Sequence, residues 1–332
     1  MKNLNFLSLF LISFQLIEAA SKNGVRATTN SVKSYKNDSH ANVKLKGLND
    51  LMDFDTWAKK YRKNYKNYVK SKKDAEKAFK QNAASIKAHN SRKTETYERK
   101  LQAHSDLTYE EQKIYRMGFI DVSESENSTI PDFSSKKTYT KVNYTKLFPP
   151  AKDQGLCGCC FIFATVSILE YISRINGDND IYSEQDLLDC DTLDTGCDGG
   201  WLGNAFRYVR DKGISNGLVY PYEGWNNTCR KYLYPSIFSI GEVCTYSLNG
   251  NEILLQALID QGPVAGAIAL TDGFTSYSSG VFYDKNCSST VLDHAITIVG
   301  YGTDLKGGDF WLIRNSWGTD WGLNGDLKKS FQ

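Results

Sequence analysis

Histidine is scarce in this chain, and its distribution limits what the protein can do. The 332 residues include four histidines, and past residue 131 there is a single one, His294. Any chemistry of the second half that needs an imidazole must therefore use His294. Pairs of Cys and His at zinc-finger spacing are also absent, so the sequence predicts no metal site and no cofactor.

Long apolar runs are absent after the N-terminus. Residues 6–17 are mostly apolar, follow Lys2 and precede Glu18-Ala-Ala, which predicts a secretory signal peptide over residues 1–19. An uncleaved membrane anchor is the alternative, but the stretch is short for a span. No later segment approaches spanning length, so we expect no stable membrane insertion and a secreted or lysosomal location.

The cysteines and the sequons fit a secretory route. All eight cysteines lie between residues 157 and 287, and an oxidising compartment permits disulfides among them. Five Asn-x-Ser/Thr triplets predict a glycoprotein. They begin at Asn37, Asn127, Asn143, Asn226 and Asn286.

Neither sign of charge is in large excess, since the net charge is +2, and this gives no indication of a nucleic-acid partner. The charge is nevertheless uneven. Residues 21–130 carry 23 Lys and Arg against 14 Asp and Glu, whereas residues 131–332 carry 16 against 23. We therefore expect two different parts, residues 20–130 and 131–332, joined through a polar, exposed linker over residues 121–140 that a protease could cut.

Apolar periodicity predicts helices in the first part. Apolar residues recur at spacings of three and four between residues 51 and 90. They are Leu51, Phe54, Trp57 and Tyr61, and then Phe79, Ala83, Ile86 and His89. The Lys-rich stretch over residues 66–80 is interpreted as a solvated face.

The second part has the pattern of an α+β domain. Residues 159–175 are apolar without Gly or Pro, which predicts a buried helix with Cys159 and Cys160 in its first turn. The helix dipole and the free amides of a first turn favour an anion and lower the pKa of a thiol. Short apolar runs between glycine turns predict antiparallel strands over residues 263–270, 295–301 and 309–314.

A dense cysteine cluster and one histidine suggest thiol chemistry. A thiol that attacks an amide needs a base to form the thiolate and an acid to protonate the departing amine, and one imidazole can do both in turn. A metal site built from Cys157, Cys159 and Cys160 is the alternative, but no second cluster of ligands follows it.

Several segments resemble, in the same order, the sequence blocks of papain-like cysteine proteases. Gln154-Gly-x-Cys-Gly-Cys-Cys-Phe-x-Phe163 is similar to the active-site block Gln-Gly-x-Cys-Gly-Ser-Cys-Trp-Ala-Phe. Leu292-Asp-His-Ala295 resembles the histidine block, and Asn315-Ser-Trp-Gly-x-x-Trp-Gly322 resembles the asparagine block. Further similar blocks lie at residues 183–190, 196–200, 213–214, 220–224 and 299–302.

This resemblance covers nearly all of residues 150–325 and implies a papain-like two-lobe fold. The left lobe is helical and carries the nucleophile helix, and the right lobe is an antiparallel, barrel-like sheet. The implied function is that of an endopeptidase that acts on peptide or protein substrates, and we expect a monomer.

The resemblance also implies the catalytic residues. Cys160 is the nucleophile, as a thiolate paired with protonated His294. Asn315 orients the imidazole, and the Gln154 amide forms the oxyanion hole together with the Cys160 backbone amide.

A second set of residues is implied for substrate binding. Gly199 and Gly200 offer backbone groups to an extended peptide. Leu202 and Ala267 line a hydrophobic specificity pocket with Trp201 beside it, and Trp317 shields the contact between His294 and Asn315.

The first part resembles the inhibitory propeptide of cathepsin-L-like members. Phe79-x-x-Asn82-x-x-x-Ile86-x-x-x-Asn90 and residues 106–111 carry this resemblance, which implies an inhibitor-like helical domain over residues 51–111. A basic propeptide on an acidic enzyme predicts release in acid, because protonated carboxylates attract it less.

The disulfides implied by the resemblance are Cys157–Cys197 and Cys190–Cys229. Cys244 resembles a cysteine of mite group 1 allergens whose usual partner has no counterpart here. The sequence therefore leaves undecided whether Cys244 and Cys287 form a disulfide.

Departures from the family pattern support a second hypothesis. Phe161 and Ile162 replace the usual Trp and Ala, and Asn143-Tyr-Thr stands where Asp-Trp-Arg is usual. Family members continue for about twenty residues beyond the position of Asn324-Gly-Asp326, which predicts an exposed sheet edge here. The alternative function is that of a catalytically impaired homologue, a secreted binding or allergen-like protein.

Overall fold

A computed structural model of the chain describes residues 8–11, 52–66, 68–121, 140–248, 251–288 and 290–331. Most of the predicted signal peptide and residues 122–139 of the predicted linker lie outside these ranges. One strand, β1 (Ser8–Leu11), precedes three successive parts: an N-terminal unit, a helical lobe and a sheet lobe.

Three helices and a short strand form the N-terminal unit, defined here as residues 52–121. They are α1 (Phe54–Lys60), α2 (Lys72–Asn90), β2 (Tyr97–Arg99) and α3 (Tyr109–Arg116). α1 and α2 lie where the apolar period predicted helices. Each begins at a side chain that accepts an amide of the first turn, Asp53 for α1 and Ser71 for α2, while Thr108 and Glu111 form a capping box at α3.

An aromatic cluster holds α1 against α2. The Phe79 ring lies 5.4 Å from the ring of Phe54 and 5.1 Å from that of Trp57, measured between centroids. Phe79 and Ala75 are buried on the side that packs against α1, whereas Lys72, Lys73, Lys77 and Lys80 are exposed and form the expected solvated face.

The helical lobe is built around one buried helix. Its elements are β3 (Val142–Asn143), α4 (Cys160–Ile175), α5 (Glu184–Cys190), α6 (Leu202–Lys212), β4 (Ile214–Ser215) and β5 (Ser236–Phe238). α4 is buried along most of its length, as its continuous apolar sequence predicted. Lys152 lies 2.6 Å from the carboxylates of both Glu170 and Glu184, which ties the loop before α4 to α4 and α5. In the described part of the chain, no helix is both long and apolar enough to cross a bilayer.

The sheet lobe contains the strands that were predicted in the second part. Its elements are β6 (Cys244–Ser247), α7 (Glu252–Ile259), β7 (Val264–Ile268), α8 (Asp272–Thr275), β8 (Tyr277–Phe282), β9 (His294–Asp304), β10 (Gly308–Arg314) and β11 (Asp326–Ser330). β9 pairs antiparallel with β7 and β10, and His294 stands opposite Ile268. The site histidine therefore begins the central strand of the sheet.

Strands from outside the sheet lobe complete its sheet. The strand order is β2-β8-β11-β10-β9-β7-β1-β6, with β3 paired to β9. β11 pairs with β10 on one side and β8 on the other, so the exposed edge expected near the end of the chain does not occur at this strand. β2 of the N-terminal unit covers β8, and Ser8–Leu11, within the predicted signal peptide, stands between β7 and β6.

Two disulfides stabilise the helical lobe. Cys157 is bonded to Cys197 and Cys190 to Cys229, the pairs that the family resemblance implied. Cys244 and Cys287 are both free, so the possible bridge between them is not formed.

We expect Phe79→Ala to destabilise the N-terminal unit by about 3–5 kcal/mol, because it removes the ring shared by the aromatic cluster. Urea unfolding of the full chain, followed by tryptophan fluorescence, measures the change. Lys77→Ala on the exposed side of α2 is the matched control and should stay within about 0.5 kcal/mol of the unsubstituted chain. Equal stability of the Phe79→Ala and Lys77→Ala variants would contradict this role of the cluster.

Candidate active site

Cys160 is the first residue of α4 and faces the sheet lobe. Of the two cysteines expected in the first turn, Cys160 lies there, whereas Cys159 is the residue that caps the helix. The backbone amide of Ala295 donates a hydrogen bond to the Cys160 sulfur at 3.3 Å. This contact brings the thiol beside the histidine that precedes Ala295.

His294 is oriented through one of its ring nitrogens. Its Nε2 lies 2.8 Å from the Oδ1 atom of Asn315. Because an amide oxygen only accepts, Nε2 carries the proton and Nδ1 is left as the base. In the part of the chain that the structure describes, Nδ1 has no hydrogen-bond partner, so it is available to the thiol.

Aromatic rings enclose the imidazole. The Trp317 ring lies 5.0 Å from that of His294, and Phe274 and Trp321 pack edge-on against Trp317 at 5.5 and 5.4 Å. These apolar rings exclude water from the contact between His294 and Asn315. The surroundings of Trp317 therefore fit the shielding role that the resemblance implied.

Gln154 points its amide nitrogen toward the cleft because Ser316 holds the other end of the side chain. The Ser316 hydroxyl donates to Oε1 of Gln154 at 2.6 Å, which leaves Nε2 as the donor. Nε2 donates to the carbonyl oxygens of Cys157 at 2.8 Å and Arg116 at 3.0 Å. The sequence reasoning missed Ser316, whose one signal is its position between Asn315 and Trp317.

Tyr222 supports the same glutamine from behind. Its hydroxyl donates to the backbone oxygen of Gln154 at 2.8 Å and lies 3.2 Å from the sulfur of Cys159. Cys159 is fully buried, and its sulfur contacts Tyr222, whereas the sulfur of Cys160 contacts the Ala295 amide. The sequence analysis included Tyr222 in the similar block at residues 220–224 but gave it no role, because its contact with Gln154 is created by the fold.

The N-terminal unit places residues 116–120 in the cleft. The amide of Gly200 donates to the Gly118 oxygen at 2.8 Å, and the amide of Ile120 donates to the Gly200 oxygen at 2.9 Å. A Cβ at Gly118 would collide with the carbonyl oxygen of Gly158, so this position requires glycine. The segment thus occupies the main-chain groups that the resemblance assigned to a substrate peptide.

Burial in this closed cleft shifts the pKa of both reactive groups. It raises the pKa of Cys160 to about 11, although neighbouring backbone amides favour the thiolate. It lowers the pKa of His294 to about 4, and the nearby charge of Arg116 acts in the same direction. Both shifts favour the neutral thiol and the neutral imidazole in this closed form, because desolvation opposes the first-turn amides of the helix. The pair of thiolate and imidazolium stays a prediction for the open cleft.

The predicted substrate-binding residues lie around the same segment. Gly199 has a φ of +116°, in the region that favours glycine, and a Cβ there would lie 2.8 Å from the Gly118 oxygen. Leu202 and Ala267 are fully buried in the apolar cluster that also holds Phe119. These two residues and Phe119 therefore belong to the same apolar core.

Trp201 is buried at the N-terminus of α6. Its ring packs against Gly203, and the Arg207 guanidinium lies 4.9 Å from the ring centroid. Trp201 therefore precedes Leu202 directly in the chain, but its ring packs against residues of α6.

The alternative metal site built from Cys157, Cys159 and Cys160 lacks one of its three ligands in the structure. Cys157 is in a disulfide and cannot bind a metal ion as a thiolate. Within the described ranges, no group of three or more His, Cys, Asp and Glu side chains is placed to hold a metal ion.

Comparison with known families agrees with this geometry. The model of the papain family cysteine protease matches residues 136–329, and that of the cathepsin propeptide inhibitor domain (I29) matches residues 54–112. The chain therefore belongs to the papain family of cysteine proteases, and its N-terminal unit carries the inhibitory propeptide domain.

Individual relatives narrow the class to cathepsin-L-like zymogens. The chain is 37% identical to digestive cysteine proteinase 3 of Homarus americanus over 245 residues, 71% of this chain and 75% of that protein. It is 34% identical to cathepsin L of Sarcophaga peregrina over 307 residues, 83% and 86% of the two chains. Digestive procathepsin L 3 of the Tenebrio molitor larval midgut matches with a TM-score of 0.72 at 31% identity, covering 83% of this chain and 91% of that one. The protein is thus a cysteine protease made as a zymogen.

We expect Gln154→Ala to lower kcat of the processed enzyme by about 100- to 1,000-fold, because its Nε2 stabilises charge that develops in the transition state. Ser316→Ala should give a smaller loss, since it only frees the orientation of the Gln154 amide. Steady-state kinetics on a fluorogenic peptide measures both effects.

Gln185→Ala controls for the loss of a buried amide elsewhere, because Gln185 hydrogen-bonds Asp189 and the Trp225 oxygen in the helical lobe. Its kcat should stay close to that of the unsubstituted enzyme. A kcat for Gln154→Ala within threefold of the Gln185→Ala value would show that this amide is not part of the oxyanion hole.

Proposed function

We propose that the protein is a secretory-pathway endopeptidase that becomes active when its propeptide leaves the cleft. The observation that carries this proposal is the path of residues 116–120, which cross Cys160 with chain continuing on both sides. A cleft that accepts the interior of a chain suits an endopeptidase. The site groups come from one chain, which supports a monomer.

The mechanism follows from the positions of four groups. Nδ1 of His294 takes the thiol proton of Cys160, and the thiolate then attacks the substrate carbonyl carbon. The oxyanion accepts hydrogen bonds from Gln154 Nε2 and the Cys160 amide. His294 then protonates the departing amine, which leaves a thioester that water hydrolyses with the imidazole again acting as base. Asn315 keeps the ring in the tautomer that this sequence of steps needs.

Release of the propeptide supplies the charge state that the mechanism needs. Residues 116–120 bury both reactive groups, and Arg116 adds a positive charge near His294. Their departure admits water, and desolvation is the largest cause of both shifts, so the pKa of Cys160 falls and that of His294 rises. Proton transfer from thiol to imidazole then becomes favourable.

An apolar side chain is the substrate preference that the pocket supports. Leu202 and Ala267 share a buried apolar cluster with Phe119, the propeptide residue next to Gly118 in the cleft. Loss of Phe119 with the propeptide leaves apolar surface that a substrate side chain of similar character covers.

The catalytically impaired alternative is less well supported. Phe161, which replaces the usual Trp, is fully buried and packs against the position of Gly200. Tyr144, in the segment that replaces Asp-Trp-Arg, donates its hydroxyl to the Ile259 oxygen at 3.0 Å. These departures are accommodated in the packing and leave the groups around Cys160 in place.

Secretion and glycosylation belong to the same proposal. Three predicted sequons lie in the described residues, and Asn143, Asn226 and Asn286 are all exposed. The Oδ1 atom of Asn226 accepts the Cys197 amide at 2.9 Å, and that of Asn143 accepts the Thr145 amide at 2.9 Å. A glycan is bonded to Nδ2, so neither contact occupies the modified atom; Asn37 and Asn127 lie outside the described residues.

The precursor is expected to process itself at pH 4.5 and to gain peptide hydrolysis, whereas Cys160→Ala stays whole and inactive. Gel electrophoresis over time and a fluorogenic peptide assay measure this. Cys159→Ala is the matched control, because it removes the neighbouring thiol that contacts Tyr222, and it should still process. A wild-type precursor that stays whole, and that remains inactive after another protease trims it, would support the impaired homologue.

Acid release of the propeptide has a structural basis in His104. Its Nδ1 is buried and has no hydrogen-bond partner among the described residues. Burial, with the charges of Arg116 and Lys63, holds the pKa of His104 well below its usual range. A histidine whose folded pKa lies below its unfolded value binds fewer protons when folded, so stability is lost as pH falls below about 6.5. The interface pair Arg99–Asp272, 2.6 Å apart, is a carboxylate contact of the kind that the charge pattern predicted.

In the Cys160→Ala precursor, His104→Phe should reduce the loss of thermal stability between about pH 6.5 and 4.5, because the new ring does not titrate. Thermal unfolding across this range measures it. His89→Phe is the comparison variant: burial lowers the pKa of His89 as well, but its ring hydrogen-bonds the Tyr97 oxygen at 3.1 Å and lies near Glu95, so we expect a smaller change in its pH profile. An unchanged pH profile for His104→Phe would assign acid release to carboxylates such as Asp272.

A further inference from the structure

The Arg116 side chain of the propeptide is bound by the protease domain beside the catalytic groups. Its guanidinium carbon lies 4.2 Å from the centroid of the Trp317 ring. Its Nε donates to the Gly155 oxygen at 3.2 Å, and an Nη atom lies 3.9 Å from the Asp153 carboxylate. Burial lowers the pKa of Arg116 only to about 10, so it stays charged at neutral and acidic pH.

The groups that bind this cation are held in place by the protease domain itself. The Gly155 amide donates to the Asp153 carboxylate at 2.9 Å, which fixes the side chain. Asp153 and Trp317 also face each other across an antiparallel bridge. These contacts do not involve the propeptide, so the arrangement persists when Arg116 departs.

The position of Trp317 assigns this cation-binding surface to one side of the scissile bond. His294 must reach the departing amine, and the Trp317 ring packs on the His294 ring at 5.0 Å. Residues 118–120 pair with Gly200 on the other side of Cys160. The surface therefore meets substrate residues that follow the scissile bond.

We propose that Asp153, Gly155 and Trp317 form a subsite for an arginine at one of the two positions after the scissile bond of substrates. The indole face attracts a cation, the Gly155 oxygen accepts a guanidinium hydrogen bond, and the Asp153 carboxylate balances the charge. A planar guanidinium can stack and donate at once, so the subsite favours arginine over lysine. Arg116 then acts as the propeptide's own occupant of a substrate position. The inference rests on the proposed endopeptidase function.

The test uses enzyme released from the full-length precursor and internally quenched peptides of one sequence. Arginine, lysine or leucine is placed at the first or at the second position after the scissile bond. We expect kcat/KM for arginine at one of these positions to exceed that for leucine by about 5- to 30-fold, with lysine between them. In Asp153→Asn the ratio of arginine to leucine should fall at least threefold.

Asp178→Asn is the matched control, because it removes the same charge from an exposed loop of the helical lobe and should keep the wild-type ratio. Cleavage of all peptides without an arginine preference, or a preference that Asp153→Asn leaves intact, would overturn the subsite and leave the endopeptidase function standing. No cleavage of any peptide by the processed wild type would overturn both.

Discussion

The contact between the N-terminus of α4 and the start of β9 is the constraint on which the rest of this structure depends. It places the Cys160 sulfur 3.3 Å from the amide that follows His294, although the two residues belong to different lobes. Backbone hydrogen bonds reinforce it, since Gln154 donates to the Ser316 oxygen and Gly318 to the Lys152 oxygen, both at 2.9 Å. Neither lobe alone contains a nucleophile and a base. Any motion that separates the lobes would therefore abolish the chemistry before it unfolds either one.

Latency in this zymogen has an electrostatic component as well as a steric one. The propeptide covers Cys160, and by excluding water it also stabilises the neutral thiol and the neutral imidazole. Arg116 contributes to latency in two ways. Its backbone oxygen accepts a hydrogen bond from Nε2 of Gln154, and its positive charge near His294 disfavours the imidazolium. The same residues that bind a substrate peptide thus hold the inhibitor, and departure of one short segment restores both access and charge.

Local sequence predicted much of the fold because its signals act over a few residues. The period around Phe54 and Phe79 identified α1 and α2, and the apolar run after Cys159 identified α4. Long-range pairings could not be read in this way. The coverage of β8 by β2, and the pairing of β11 on both sides, join segments far apart in the chain. The roles of Ser316 and Tyr222 were missed for the same reason, since they depend on contacts with Gln154 that only folding creates.

The sequence by itself determined the ordered set of reactive residues, the periods of the helices and strands, and, through resemblance, the two disulfides. Residue type and spacing are sufficient for these features. Only the tertiary structure decided the direction in which the pKa values of Cys160 and His294 shift, because a pKa depends on burial and on charges brought close from elsewhere, such as Arg116. It also decided that Asp153 and Trp317 stand together around a guanidinium. These two residues are far apart in the chain, and the pairing of two loops across the lobe boundary makes them neighbours.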